Sequence, residues 1–120
     1  MADRRRLSPR ERQTVYRKTN GRCAYCGGYI KFKEMQVDHV MPLRKGGADT
    51  LENMLPACRS CNHYKGSLTM AQFRKSVERM PEVLMRDNVT YKNAVRFGLV
   101  WPMPRPVTFY FEKLGTRQKE

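Results

Sequence analysis

No apolar run in this 120-residue sequence approaches the length of a membrane span, so a bilayer-threading helix is not expected. The opening residues, MADRRRLSPR, lack the apolar core of a secretory signal. No internal repeat is visible, which argues against a repeat array. Acidic residues are scarce. Eleven Asp and Glu stand against 24 Lys and Arg, a formal net charge of +13. Histidine is scarcer, at two. These absences lead to the expectation of a soluble cytoplasmic protein. Hydrophobic content of 40% beside 29% charged residues argues against wholesale disorder. The length suggests a single domain over 1–120 with a modest core.

The positive charge is uneven. Residues 1–22 carry eight Lys/Arg against two acids, residues 23–66 six against four, and residues 67–120 ten against five. The nets are +6, +2 and +5. Solvated faces are one reading of that charge. The other is a nucleic-acid partner, because cations that neutralise phosphates release counterions. On that reading Arg4, Arg5 and Arg6 are candidate contacts to double-stranded DNA.

Four cysteines form two pairs, CAYC (Cys23, Cys26) and CRSC (Cys58, Cys61). Two disulfides are one reading, but a reducing compartment disfavours them. Two CxxC knuckles instead match a four-cysteine Zn²⁺ site. Four protein ligands leave no open position on such an ion, so it is expected to hold the fold and do no chemistry.

Ser8-Pro9-Arg10-Glu11 has the form of a capping box and predicts a basic helix over 8–20, its arginines facing solvent or DNA. YIKF and MQVDHVMP predict two short strands, the second ended by Pro42. MLP suggests a brief extended piece, and CRSCNHYKG the first turns of a helix. Thr69–Gln72 predicts another helix start. Residues 82–97 are expected to hold one or two further helical turns. VTFYFE is a strand candidate, followed by a basic tail.

One feature of the centre is unexpected for a strand. Asp38 and His39 are adjacent ionisable groups between valines, and burying charge is costly unless it is paired or metal-bound. Asn53 follows 14 residues after His39, and Asn62 nine residues after that.

The stretch VDHVMPLRKGGADTLENMLPACRSCNHYKG, with CAYC before it, resembles the HNH nuclease family in its four-cysteine zinc form. The resemblance covers residues 22–66, with asparagine rather than histidine at the last motif position. It implies a small ββα-metal core stapled by zinc; with the flanking helices and the candidate C-terminal strand read above, the expected class is α+β. It implies that Asp38 and Asn62 hold a catalytic Mg²⁺ or Mn²⁺, which suits oxygen ligands. His39 would be the general base, and Asn53 would orient it by hydrogen bonding. Asp38 and His39 are expected to serve chemistry and not the fold. Because strand residues alternate, an irregular strand end is expected before Pro42. Arg44, Lys45 and Lys65 are candidate phosphate contacts.

A zinc-knuckle DNA-binding module without catalysis accounts for the cysteines and the charge, but not for the Asp38, His39, Asn53 and Asn62 spacings. A zinc-dependent deaminase needs a glutamate two residues after a histidine, and neither His39 nor His63 has one. An accessory subunit of a larger phage-type or restriction-type assembly is compatible with the same site.

Overall fold

The structure is a computed structural model that describes residues 6–118. Helix α1 spans Pro9–Arg17. Ser8 and Glu11 cap it reciprocally, as the capping box requires. Past its end the chain turns through Asn20 and Gly21, both at positive φ. The arginines of α1 do not all face outward. Arg12 donates to the carbonyls of Phe32 and Met35. Tyr16 donates to Ile30 O, and Lys18 Nζ donates to Leu51 O and Met54 O. These bonds brace the backbone around both strands.

Strands β1 (Gln36–His39) and β2 (Met54–Ala57) form an antiparallel pair, with Asp38 opposite Leu55 and His39 opposite Met54. YIKF does not form the other strand. Tyr29 makes an isolated bridge to Arg22, and Phe32–Glu34 is a single 3₁₀ turn. Helix α2 (Arg59–Lys65) follows β2 directly. The order strand, strand, helix is the expected ββα core.

The sheet lies between two helices. Val37 packs with Val15 of α1 in a core that includes Met35 and Met54. Asp38, on the alternate face, meets Lys65 of α2. No helix of the described residues is long and apolar enough to cross a membrane.

The chain divides into two compact units, one running to Met70 and resuming at Thr108, the other Ala71–Val107. In the first, the return segment starts α6 (Tyr110–Gln118). VTFYFE is therefore not a strand. Phe111 N donates to Ala24 O, and Phe109 and Phe111 meet the ring of Tyr25 edge-on. These aromatics are consumed in packing on the first cysteine knuckle, which a sheet edge would not allow.

Helix α3 (Met70–Glu78) leads into the second unit. There α4 (Met80–Asp87) and α5 (Val89–Arg96) pack together. Pro81 opens α4 instead of closing a helix, as suits a residue without an N–H. Asn88 ends α4 and caps α5. Glu78 and Arg74 bind the N–H and carbonyl of Val107, closing the unit.

Candidate active site and metal centre

The CAYC knuckle is shaped by its own backbone. Cys23 N donates to Gly28 O, Gly27 N donates back to Cys23 O, and Gly27 has a φ of 80°. Ala24 N donates to Pro56 O, which ties the knuckle to β2. The second pair lies at the start of α2, where Cys58 is the N-cap and its Sγ accepts from Cys61 N. The four ligand sulfurs lie within 4.8 Å of one another, a group that could hold a metal ion. No two are joined as a disulfide. Cys23 favours the thiolate, its pKa pushed down to about 4, chiefly by the hydrogen bond from Cys61. The same bond pushes Cys61 up, and burial pushes up Cys26. Only with a cation between them would all four be held as thiolates, since a metal ligates the deprotonated sulfur.

Asp38 and His39 occupy the end of β1, and both are buried. The ladder stays regular through His39, and the chain bends at Val40 and Met41. The two side chains therefore diverge. Asp38 accepts from Tyr25 Oη at 2.5 Å and pairs with Lys65 Nζ at 3.1 Å. Burial, reinforced by the charge of Asp38, raises the pKa of Tyr25 far above its usual range, so the phenol remains a donor. Lys65 Nζ also donates to His39 O and Val40 O. Lys65 is thus not a surface phosphate contact. Its side chain is fully buried because β1 and the next residue, Val40, supply a carboxylate and two carbonyls. Asp38 is the one carboxylate that the ammonium meets there, and a buried ammonium without such a partner is costly.

Asn62 and Lys65 are three residues apart on α2 and share a helix face. Asp38 meets Lys65 on that helix. The donor chemistry fits a hard divalent ion: a carboxylate and a neutral amide, both oxygen donors. Such an ion would share Asp38 with Lys65 or displace its ammonium.

Asn53 does not bond the His39 ring. Its amide accepts from Met41 N and donates to Met41 O and Ala48 O. The Asn53 carbonyl also accepts from the N–H of Val40, the residue after β1. All of these bonds close the loop 40–49 onto Asn53, the last residue of the turn that precedes β2. Gly47 is required there, because a Cβ would lie 1.8 Å from Met41 O. The partner of the ring is instead Asp49, at the far end of that loop, with Oδ1 2.9 Å from Nε2. Sequence reasoning missed Asp49, since an acid after Gly-Gly-Ala reads as a turn residue.

Arg6 and Arg12 line a cleft of about 330 Å³ together with His39 and Gln36. Arg44 and Lys45 are exposed on a 3₁₀ turn of the loop. Arg4 and Arg5 lie outside the described residues. His63 is exposed on α2.

A family model described as HNH endonuclease matches residues 23–68. The chain is 38% identical over 90 residues to a CRISPR-associated endonuclease Cas9 of Corynebacterium diphtheriae, covering 74% of this chain and 8% of that protein. It shares its fold with the type II-C Cas9 enzyme from Actinomyces naeslundii, at a TM-score of 0.53 and 23% identity, covering 62% of this chain and 9% of that one. The chain thus spans under a tenth of the length of either relative. The motif order, the ββα core with its clustered cysteines and these likenesses agree: residues 23–68 form an HNH endonuclease domain.

Proposed function

We propose that the chain is a metal-dependent DNA endonuclease that hydrolyses phosphodiester bonds. One observation carries this reading. The Asp38-His39 pair ends β1 against α2, the helix bearing Asn62 and, at its start, the second cysteine pair. His39 takes a proton from the attacking water as general base. Asp38 and Asn62 would hold Mg²⁺ or Mn²⁺, which when bound would stabilise charge on the scissile phosphate and the leaving oxygen. Lys65 holds the Asp38 carboxylate and the end of β1 together. Arg6, Arg44 and Lys45 grip the DNA backbone, with Arg4 and Arg5 beside Arg6 in sequence. The expected products carry 5′-phosphate and 3′-hydroxyl ends.

The cysteine cluster is assigned to structural Zn²⁺. Tetrahedral Zn–S bonds of about 2.3 Å space the sulfurs about 3.8 Å apart, and Cys26 and Cys58 Sγ lie 3.9 Å apart. The relatives are CRISPR-associated endonucleases of far greater length, so action within a larger nucleic-acid-bound assembly is part of the proposal.

The burial of the Asp38–Lys65 pair favours a second reading, a non-catalytic DNA-binding module or accessory subunit, because the pair accounts for Asp38 without chemistry. Incubation of the zinc-loaded protein with supercoiled plasmid across Mg²⁺, Mn²⁺ and Zn²⁺ separates the two. The first reading expects nicked or linear product with Mg²⁺ or Mn²⁺. Retention of plasmid on the protein with no cleavage in any metal supports the second.

A further inference from the structure

The contact between Asp49 and His39 has consequences for the chemistry of the ring. His39 is 4% exposed, and its Nε2 lies 2.9 Å from Asp49 Oδ1. The other ring nitrogen, Nδ1, is buried and bonds to no protein group. An ionised carboxylate can only accept, so Nε2 carries the proton in this contact. A neutral imidazole has a single N–H, so the lone pair then resides on Nδ1.

Asp49 is brought back to the strand by specific contacts. Asn53 holds Met41 at one end of the loop and Ala48 at the other. Ala48 immediately precedes Asp49. The close approach of Gly47 to Met41 O fixes the intervening turn. The carboxylate is thus delivered to the ring by a pinned loop and not by a free one.

We propose that Asp49 is a positioning residue for His39. It holds the imidazole in the tautomer protonated at Nε2, which makes Nδ1 the nitrogen that accepts the proton of the attacking water. Asn53 acts one step further back, through the loop that carries Asp49. The proposal rests on the reading of His39 as general base.

The test uses the full zinc-loaded chain labelled with ¹⁵N-histidine. Only two histidines are present, and the His39 signals are those lost in His39→Ala. The native ring is expected to show protonated Nε2 and unprotonated Nδ1. Asp49→Ala should give a mixture of tautomers and lower kcat by about 10–100-fold, the scale of a lost orienting partner. KM for DNA should change little, and Asp49→Glu should recover part of kcat. A loop tether without a catalytic role would lower stability and leave the tautomer and kcat alone. If Asp49→Ala does not fold, Asp49→Asn replaces it. An amide can donate as well as accept, so that variant should also populate both tautomers and lower kcat. A native ring protonated at Nδ1 overturns the proposal, as does a folded Asp49 variant with native tautomer and kcat. If His39→Ala abolishes cleavage while the Asp49 variants remain native in both respects, the endonuclease reading stands and the role of Asp49 falls. If the native protein cleaves nothing, that reading fails, and the tautomer result alone decides whether Asp49 sets the ring.

Discussion

Lys65 Nζ lies 3.1 Å from Asp38 Oδ2, with 0% and 4% of the two side chains exposed. A surface lysine contributes little when truncated. Removing one partner of a buried pair leaves the other charge stranded, at a cost of about 3–5 kcal/mol. Lys65→Met is therefore expected to destabilise the protein on that scale in urea unfolding of the zinc-loaded chain. A loss below about 0.5 kcal/mol, the usual range for a surface substitution, would mean that Lys65 reaches solvent.

Removal of metal should unfold the first unit. Structural zinc contributes on the order of 10–16 kcal/mol in finger peptides, more than the net stability of most domains. Elemental analysis should find one zinc per chain, and a strong chelator should abolish the cooperative melt. Cys23→Ser should lower zinc content in the same way. A chelated protein with an unchanged melting temperature would remove zinc from the account of the fold.

Asn53→Ala deletes three hydrogen bonds to the backbone of the loop. These bonds lie near solvent, so water can replace the lost partner and the cost falls below the roughly 1–3 kcal/mol of a buried unpaired group. Hydrogen exchange at Met41 N–H should accelerate, because its acceptor is gone. Cleavage should fall less than in His39→Ala, since the imidazole is loosened and not deleted. Unchanged exchange at Met41 would show that the loop is held by something else.

The N-terminal arginines are better tested by substitution than by truncation, because Leu7 packs against the core. Replacing Arg4, Arg5 and Arg6 by glutamine should weaken DNA binding. It should flatten the dependence of log K on log salt by up to about 3, if all three neutralise phosphates. A preserved slope would mark the three as solvated.

Much of the centre was legible from local pattern. The CxxC spacings imply the cysteine cluster, because two residues between ligands allow both to turn onto one ion. Ser8, Pro9 and Glu11 mark a helix start that the structure contains. The elements that were misread depend on distant partners. VTFYFE has the β-branched and aromatic content of a strand, but Phe109 and Phe111 are drawn onto Tyr25, more than 80 residues earlier in the chain. Lys65, beside a glycine at a helix end, reads as solvated until Asp38, 27 residues before it, is seen to meet it. The link between Asn53 and His39 was expected to be direct. The Asn53 amide instead binds loop backbone, and the ring meets Asp49.

Whether His39 moves a proton in catalysis is tested most directly by single-turnover cleavage of supercoiled plasmid, with zinc-loaded native protein and His39→Ala compared in saturating Mg²⁺ or Mn²⁺. The expected result is a rate lower by about 10²–10⁴, the scale of one general base, with zinc content and DNA affinity retained. Added metal should not restore it, whereas it should partly restore Asn62→Ala, because a missing base is not a missing ligand. Cleavage by folded His39→Ala at the native rate would contradict the assignment and leave a DNA-binding module as the better description.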